Sequence, residues 1–144
     1  MTLVFGAEGI WNASFERFWS NKMKTTIINS AAIPDLLLLY ENATSAHAKA
    51  SELGDYRTAN REYRTIAAVY SELRARGLSA QQKLLRFLNH PDPHVRVMAA
   101  AHALDFDPEK GEPILTELSL SRGVWALNAR MSLEEWRKGR LTFP

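Results

Sequence analysis

His90, Asp92, His94 and His102 are the densest group of side chains in this 144-residue chain that could hold a metal or move a proton. Zinc sites are usually assembled from tightly paired ligands of these types. The spacing here argues otherwise. His94 and His102 lie eight residues apart, two turns along one helix, and His90 precedes Pro91 outside that helix. An N-cap role for Asp92 and a packed ring for His102 are the simpler readings, so no metal and no cofactor are expected. Asp35 and Glu41 share one helix but no partner pattern surrounds them. Gly-x-Ser-x-Gly, a glycine-rich phosphate loop and His-Glu-x-x-His are all missing. The absence of cysteine excludes disulfides, thiolate metal sites and cysteine nucleophiles. These residues give no reason to expect an enzyme.

Two other groups read as contact surfaces. Arg57, Arg61 and Arg64 recur at i, i+4 and i+7 and so share one face of a helix, either a solvated face near Asp55 and Glu62 or a basic binding ridge. Trp125, Asn128 and Arg130 stand in the last third of the chain with Trp136, Arg122, Arg137, Lys138 and Arg140. Interleaved aromatic and basic residues can anchor a protein partner or stack on nucleic-acid bases. The plainer alternative is that the tryptophans close the end of the core and the basic residues solvate it.

The elements that must position these residues are all helical. No sustained polar/apolar alternation and no Asn-Gly or Asp-Gly hairpin dipeptide occurs. Pro34 opens a helix to about Leu53, and Gly54 stops it. Asp55 caps the next, which ends near Gly77. Its Ala59, Tyr63, Ile66, Tyr70 and Leu73 form a single apolar stripe. Ser79 with Gln82 predicts a capping box for a helix through Leu88. Asp92-Pro93 starts a helix to about Leu104, and Asp107-Pro108 starts one to about Leu120. A helix over 123–130 follows, and Ser132 with Glu135 is expected to cap a last short one ended by Gly139. Ala99, Ala100 and Ala103 should lie at a close helix–helix contact. Seven or eight helices in antiparallel pairs are expected.

Residues 1–22 differ from the rest. Trp11, Phe15, Phe18 and Trp19 would line one side of a helix, and Met23-Lys-Thr-Thr reads like a second translation start. We therefore divide the chain into an aromatic helical extension over 1–22 and a single helical domain over 23–144.

Asp92, Pro93, Val95, Arg96, Ala99, Ala100, Ala103 and Leu104 together resemble the second helix of a HEAT-like repeat. That resemblance implies that Arg96 braces a neighbouring turn. A shift of 30 residues places Leu84, Leu85 and Leu88 on Ile114, Leu115 and Leu118, a period that fits paired helices in an α-solenoid. The tail from Asn128 to Arg140, the segment from His90 to Arg96, Ala59-Asn60-Arg61, Leu73 to Gly77 and Asp107 to Lys110 resemble a bacterial family, domain of unknown function DUF2019. The resemblance covers roughly residues 33–140. It implies a compact HEAT-like helical fold and brings no activity and no catalytic residues.

Composition sets the remaining bounds. The chain is 46% hydrophobic and 24% charged, the balance of a globular domain rather than a disordered one. No apolar run approaches the roughly 20 residues needed to span a bilayer, and no signal-peptide pattern opens the chain, so a cytoplasmic protein is expected. Residues 1–72 carry 7 Lys/Arg against 8 Asp/Glu, and residues 73–144 carry 11 against 8. That asymmetry is weaker than a dedicated nucleic-acid binder shows. The resulting expectation is a non-enzymatic protein-binding helical-repeat module whose partner is another protein, by analogy an immunity-type inhibitor of a bacterial toxin. A nucleic-acid-binding HEAT-like protein is the rival, motivated by the basic second half.

Overall fold

The computed structural model describes residues 24–144, and every described element is a helix. The chain forms two units, Met1–Ala31 and Ala32–Pro144. In the first, residues 24–30 are helical. The aromatic extension read over 1–22 lies outside the described residues.

The second unit holds six α-helices and one 3-10 helix. Helix α1, Ile33–Glu52, opens with Pro34 in its first turn and Asp35 beside it, where a missing N–H costs nothing and a carboxylate favours the helix N-terminus. Leu36, Tyr40, Ala43, Thr44 and Ala48 recur at helical spacing and are buried. Gly54 ends the turn at φ +74, a left-handed conformation that suits glycine. Asp55 then accepts from Thr58 N (3.2 Å) and caps α2, Tyr56–Arg76. Only three residues separate α1 from α2, and the two pack against each other, so the chain reverses between them.

The next connection departs from the expected capping box. Helix α3, Leu78–Gln82, starts at Gly77 without a side-chain cap, and Lys83–Asn89 continues as a 3-10 helix. Gly77, at φ +110, starts the helix early; its carbonyl takes the amides of Ala80 and Gln81 (3.1 and 3.2 Å). The Gln81 side chain turns inward to donate to Tyr70 Oη (3.0 Å). Leu84 and Phe87, three apart on the tighter helix, both face the core.

Asp92 caps α4, Pro93–Phe106, by accepting from His94 N (2.9 Å), as the Asp-Pro step predicts. Arg96 braces the preceding turn by donating to the carbonyl of His90 (2.8 Å). The alanine face of α4 meets α5, Pro108–Ser119, at very short range. Ala99, Ala100 and Ala103 are fully buried, and a Cβ added to Gly111 would stand 2.6 Å from the carbonyl oxygen of Ala100. Helix α6, Val124–Arg137, packs on α5 and α4. It runs unbroken through Ser132, so the two short helices expected here are one. Leu133, Ala129 and Ala126 keep a single buried stripe across the supposed break, and that continuous burial outweighs the local capping signal. No described helix is long and apolar enough to cross a membrane.

Candidate functional site

A cleft of about 320 Å³ opens in the second unit, walled by α1, α2, α4, α6 and the C-terminal residues 141–144. Helix α1 contributes Thr44, His47 and Ala48; α2 contributes Tyr63. Helix α4 presents one face, His94, Val97, Met98, Ala101 and His102, at spacings of three and four. Helix α6 contributes Asn128, Met131 and Ser132. Arg74 Nη1 donates to the carbonyl of Pro144 (3.2 Å), which holds the C-terminal segment beside the opening.

The three histidines are fixed in different ways. His47 Nδ1 lies 2.8 Å from the carbonyl oxygen of Ala59. A carbonyl only accepts, so Nδ1 carries the proton and Nε2 is left as the acceptor in the neutral ring. The His94 ring meets Trp125 edge-on (5.4 Å between centroids), and its Nε2 lies 3.4 Å from Glu52 Oε1. His102 is buried. Its ring stacks on Tyr70 at 4.1 Å and 6°, and its Nδ1 lies 2.6 Å from Tyr40 Oη. Burial pushes the His102 pKa down to about 3, so the ring is neutral.

A polar chain runs from this stack to the surface. Tyr70 Oη donates to Asp105 Oδ2 (2.6 Å), and Arg74 Nε stands 3.4 Å from the same carboxylate oxygen. Burial first, then the hydrogen bond to Asp105, raise the Tyr70 phenol above its ordinary range. Burial does the same to Tyr40. Both hydroxyls therefore stay protonated and act as donors.

His90 and Asp92 are committed to the turn before α4. His90 Nε2 pairs with Glu41, and its Nδ1 accepts from the amide of Asp92 (2.9 Å). Asp92 also accepts from Ser45 Oγ (3.2 Å). Among the described residues no three His, Asp or Glu side chains converge as a metal site would need.

The residues singled out as contact candidates fall in separate places. Asn128 lines the cleft, and Trp125 adjoins it through His94. Trp125 also lines a shallower groove with Pro93, Arg96, Glu117 and Leu120. Arg130 donates to the carbonyl of Ser119 (2.9 Å) and so ties α6 to the end of α5. Arg57, Arg61 and Arg64 lie exposed on α2, outside the cleft lining, with Arg61 3.9 Å from Glu62. The sequence does not single out His47 or residues 141–144 as site residues, and Tyr63, read as part of the apolar stripe of α2, is 49% exposed and lines the cleft. The available signal was a polar pair, Thr44 and His47, on the inward side of α1. His94 and His102 stand two turns apart on one helix, as the sequence indicates, and His102 is the packed ring that reading favours; that both line one cleft is new.

The family model for domain of unknown function DUF2019 matches residues 34–136. The chain belongs to that family. The chain is also similar to the crystal structure of the protein RPA1889 from Rhodopseudomonas palustris CGA009, with a TM-score of 0.75 and 24% identity over 81% of this chain and 98% of that one. At that identity the likeness shows the fold alone. No curated protein matches the chain.

Proposed function

We propose that this chain is a non-enzymatic, protein-binding helical-repeat module of HEAT-like type, and that its partner docks on the outer face of α6. One observation carries the reading. Val124, Leu127 and Met131 fall at i, i+3 and i+7 on α6 and are 52%, 50% and 56% exposed, and Leu120, in the turn just before the helix, is 83% exposed. Large apolar side chains repeated at helical spacing on an outer face are the pattern that takes a partner helix or groove. Burying each contributes up to about 1.5–3 kcal/mol. The groove beside Trp125 and Arg96 offers an anchor pocket next to this stripe, and tryptophan and arginine are favoured anchors at protein interfaces.

The HEAT-like part of the proposal is supported by paired helices joined by short turns, α1 with α2 and α4 with α5, and by the close α4–α5 contact at Ala100 and Gly111. The basic tail favours a protein partner over nucleic acid. Arg137 pairs with Glu112 (3.2 Å), Lys138 with Glu134 (2.8 Å) and Arg140 with Glu135 (2.8 Å), so much of its charge is answered within the protein.

Titration with mixed-sequence duplex DNA, single-stranded DNA and RNA at near-physiological salt tests the choice. Negligible binding is expected. Micromolar or tighter binding whose logarithm falls steeply with salt would overturn the protein-binding reading, because each phosphate contact adds to that slope.

A further inference from the structure

The cleft carries chemistry that the outer face of α6 does not use. The hydrogen bond between Tyr40 and His102 fixes where the His102 proton sits. A phenol is a better donor than an imidazole N–H, and the unprotonated ring nitrogen is a better acceptor than a phenol oxygen. Tyr40 O–H therefore donates to Nδ1, which leaves the ring proton on Nε2. The opposite arrangement would strand the Tyr40 proton in the core, since His102 is its sole hydrogen-bond partner among the described residues. Nε2–H itself has no protein acceptor among those residues, although His102 is only 7% exposed and lines the cleft. A buried donor without an acceptor is costly, and one at the wall of a cavity invites an acceptor from outside the chain.

The rest of the lining says what kind of acceptor. No lining side chain is an Asp, Glu, Lys or Arg. An ionised ligand would lose water with no carboxylate, ammonium or guanidinium of the lining side chains to meet it, and the charges nearest the wall, Glu52 and Arg74, already face His94 and the Pro144 carbonyl. Met98, Met131 and Phe143 supply apolar, adaptable walls, and Asn128 and Ser132 supply further uncharged polar groups. The volume, about 320 Å³, falls at the small end of pockets that enclose organic ligands. We infer that the cleft is a binding site for an uncharged small molecule with an apolar body and a carbonyl-type oxygen that accepts from His102 Nε2–H. This site shares Met131 with the proposed protein contact, but its donor, His102, is no part of that stripe, so the site would survive the contact's failure.

The full chain can be tested with three probes of one shape, N-benzylacetamide, phenylacetate and benzylammonium, followed by nuclear magnetic resonance of the histidine rings and methionine methyls. The expected result is a saturable shift of the His102 and Met98 signals with the neutral amide, and binding of each charged probe about tenfold weaker or more. The free protein should show His102 protonated on Nε2. His102→Phe keeps a ring against Tyr70 but removes the donor, and should abolish the response. Ala101→Leu, which narrows the cleft and leaves His102 in place, should weaken it as well, so the test does not depend on one variant folding. A proton on His102 Nδ1, tighter binding of either charged probe, or no saturable shift with the amide would overturn the inference.

Discussion

At the scale of single residues, His102 ties folding to pH. Its ring is neutral in the folded protein, with a pKa pushed down to about 3 by burial against an ordinary value of 6.5. Between these values the unfolded chain binds more protons than the folded one, so stability is complete above pH 6.5 and falls as pH drops toward 3. The slope attributable to this ring is about 1.4 kcal/mol per pH unit. Thermal unfolding from pH 7 to pH 4 should show it, and His102→Phe should flatten the curve. An equally steep curve in the variant would show that other groups drive the acid transition. Gly111 makes a second residue-scale case. Alanine has the better helix propensity by roughly 1 kcal/mol, but its Cβ would meet the Ala100 carbonyl oxygen at 2.6 Å, and backbone cannot step aside as a side-chain tip can. Gly111→Ala is expected to destabilise by on the order of 1–3 kcal/mol in denaturant unfolding; an unchanged or higher midpoint would place the α4–α5 contact elsewhere.

At the scale of elements, two caps that look alike in sequence separate cleanly. Asp92 accepts from His94 N (2.9 Å) at a true helix start, whereas Ser132 sits inside α6. Asp92→Ala should cost about 0.5–2 kcal/mol, and Ser132→Ala should be neutral or slightly stabilising. A loss of about 1 kcal/mol from Ser132→Ala would restore the break that the sequence suggests. The contrast explains which elements were legible. Asp-Pro steps and Gly54 act through local geometry and marked their helices to within a residue or two. Ser79 and Ser132 offered the same local signal, but Gly77 set an earlier start in one case and the Ala126, Ala129 and Leu133 stripe carried the helix through in the other. The cleft was less legible still. Its walls are brought together from positions as far apart as Thr44 and Pro144, and no spacing rule links residues that meet only after four helices pack. Trp125 and Asn128 could be singled out by type, but not that Asn128 lines the cleft or that Trp125 meets its wall at His94.

At the scale of the whole molecule, the net charge is only +2 and the basic tail is paired with carboxylates of the same chain, while Val124, Leu127 and Met131 stand exposed on α6. Interfaces of this kind concentrate their energy in a few desolvated anchors, so one substitution on the α6 stripe should remove ~2 kcal/mol or more of partner affinity. Removing an arginine from Arg57, Arg61 or Arg64, which lie apart on α2, should change it little. The most direct measurement is photo-crosslinking in the cell that makes the protein, with a photoreactive amino acid placed at Leu127 and, as controls, at Arg57 and Glu109. A discrete protein adduct is expected from position 127 and should disappear with Val124→Asp, with none from positions 57 and 109. Adducts to nucleic acid from position 127, or a protein adduct from position 57 in place of 127, would contradict the proposed contact.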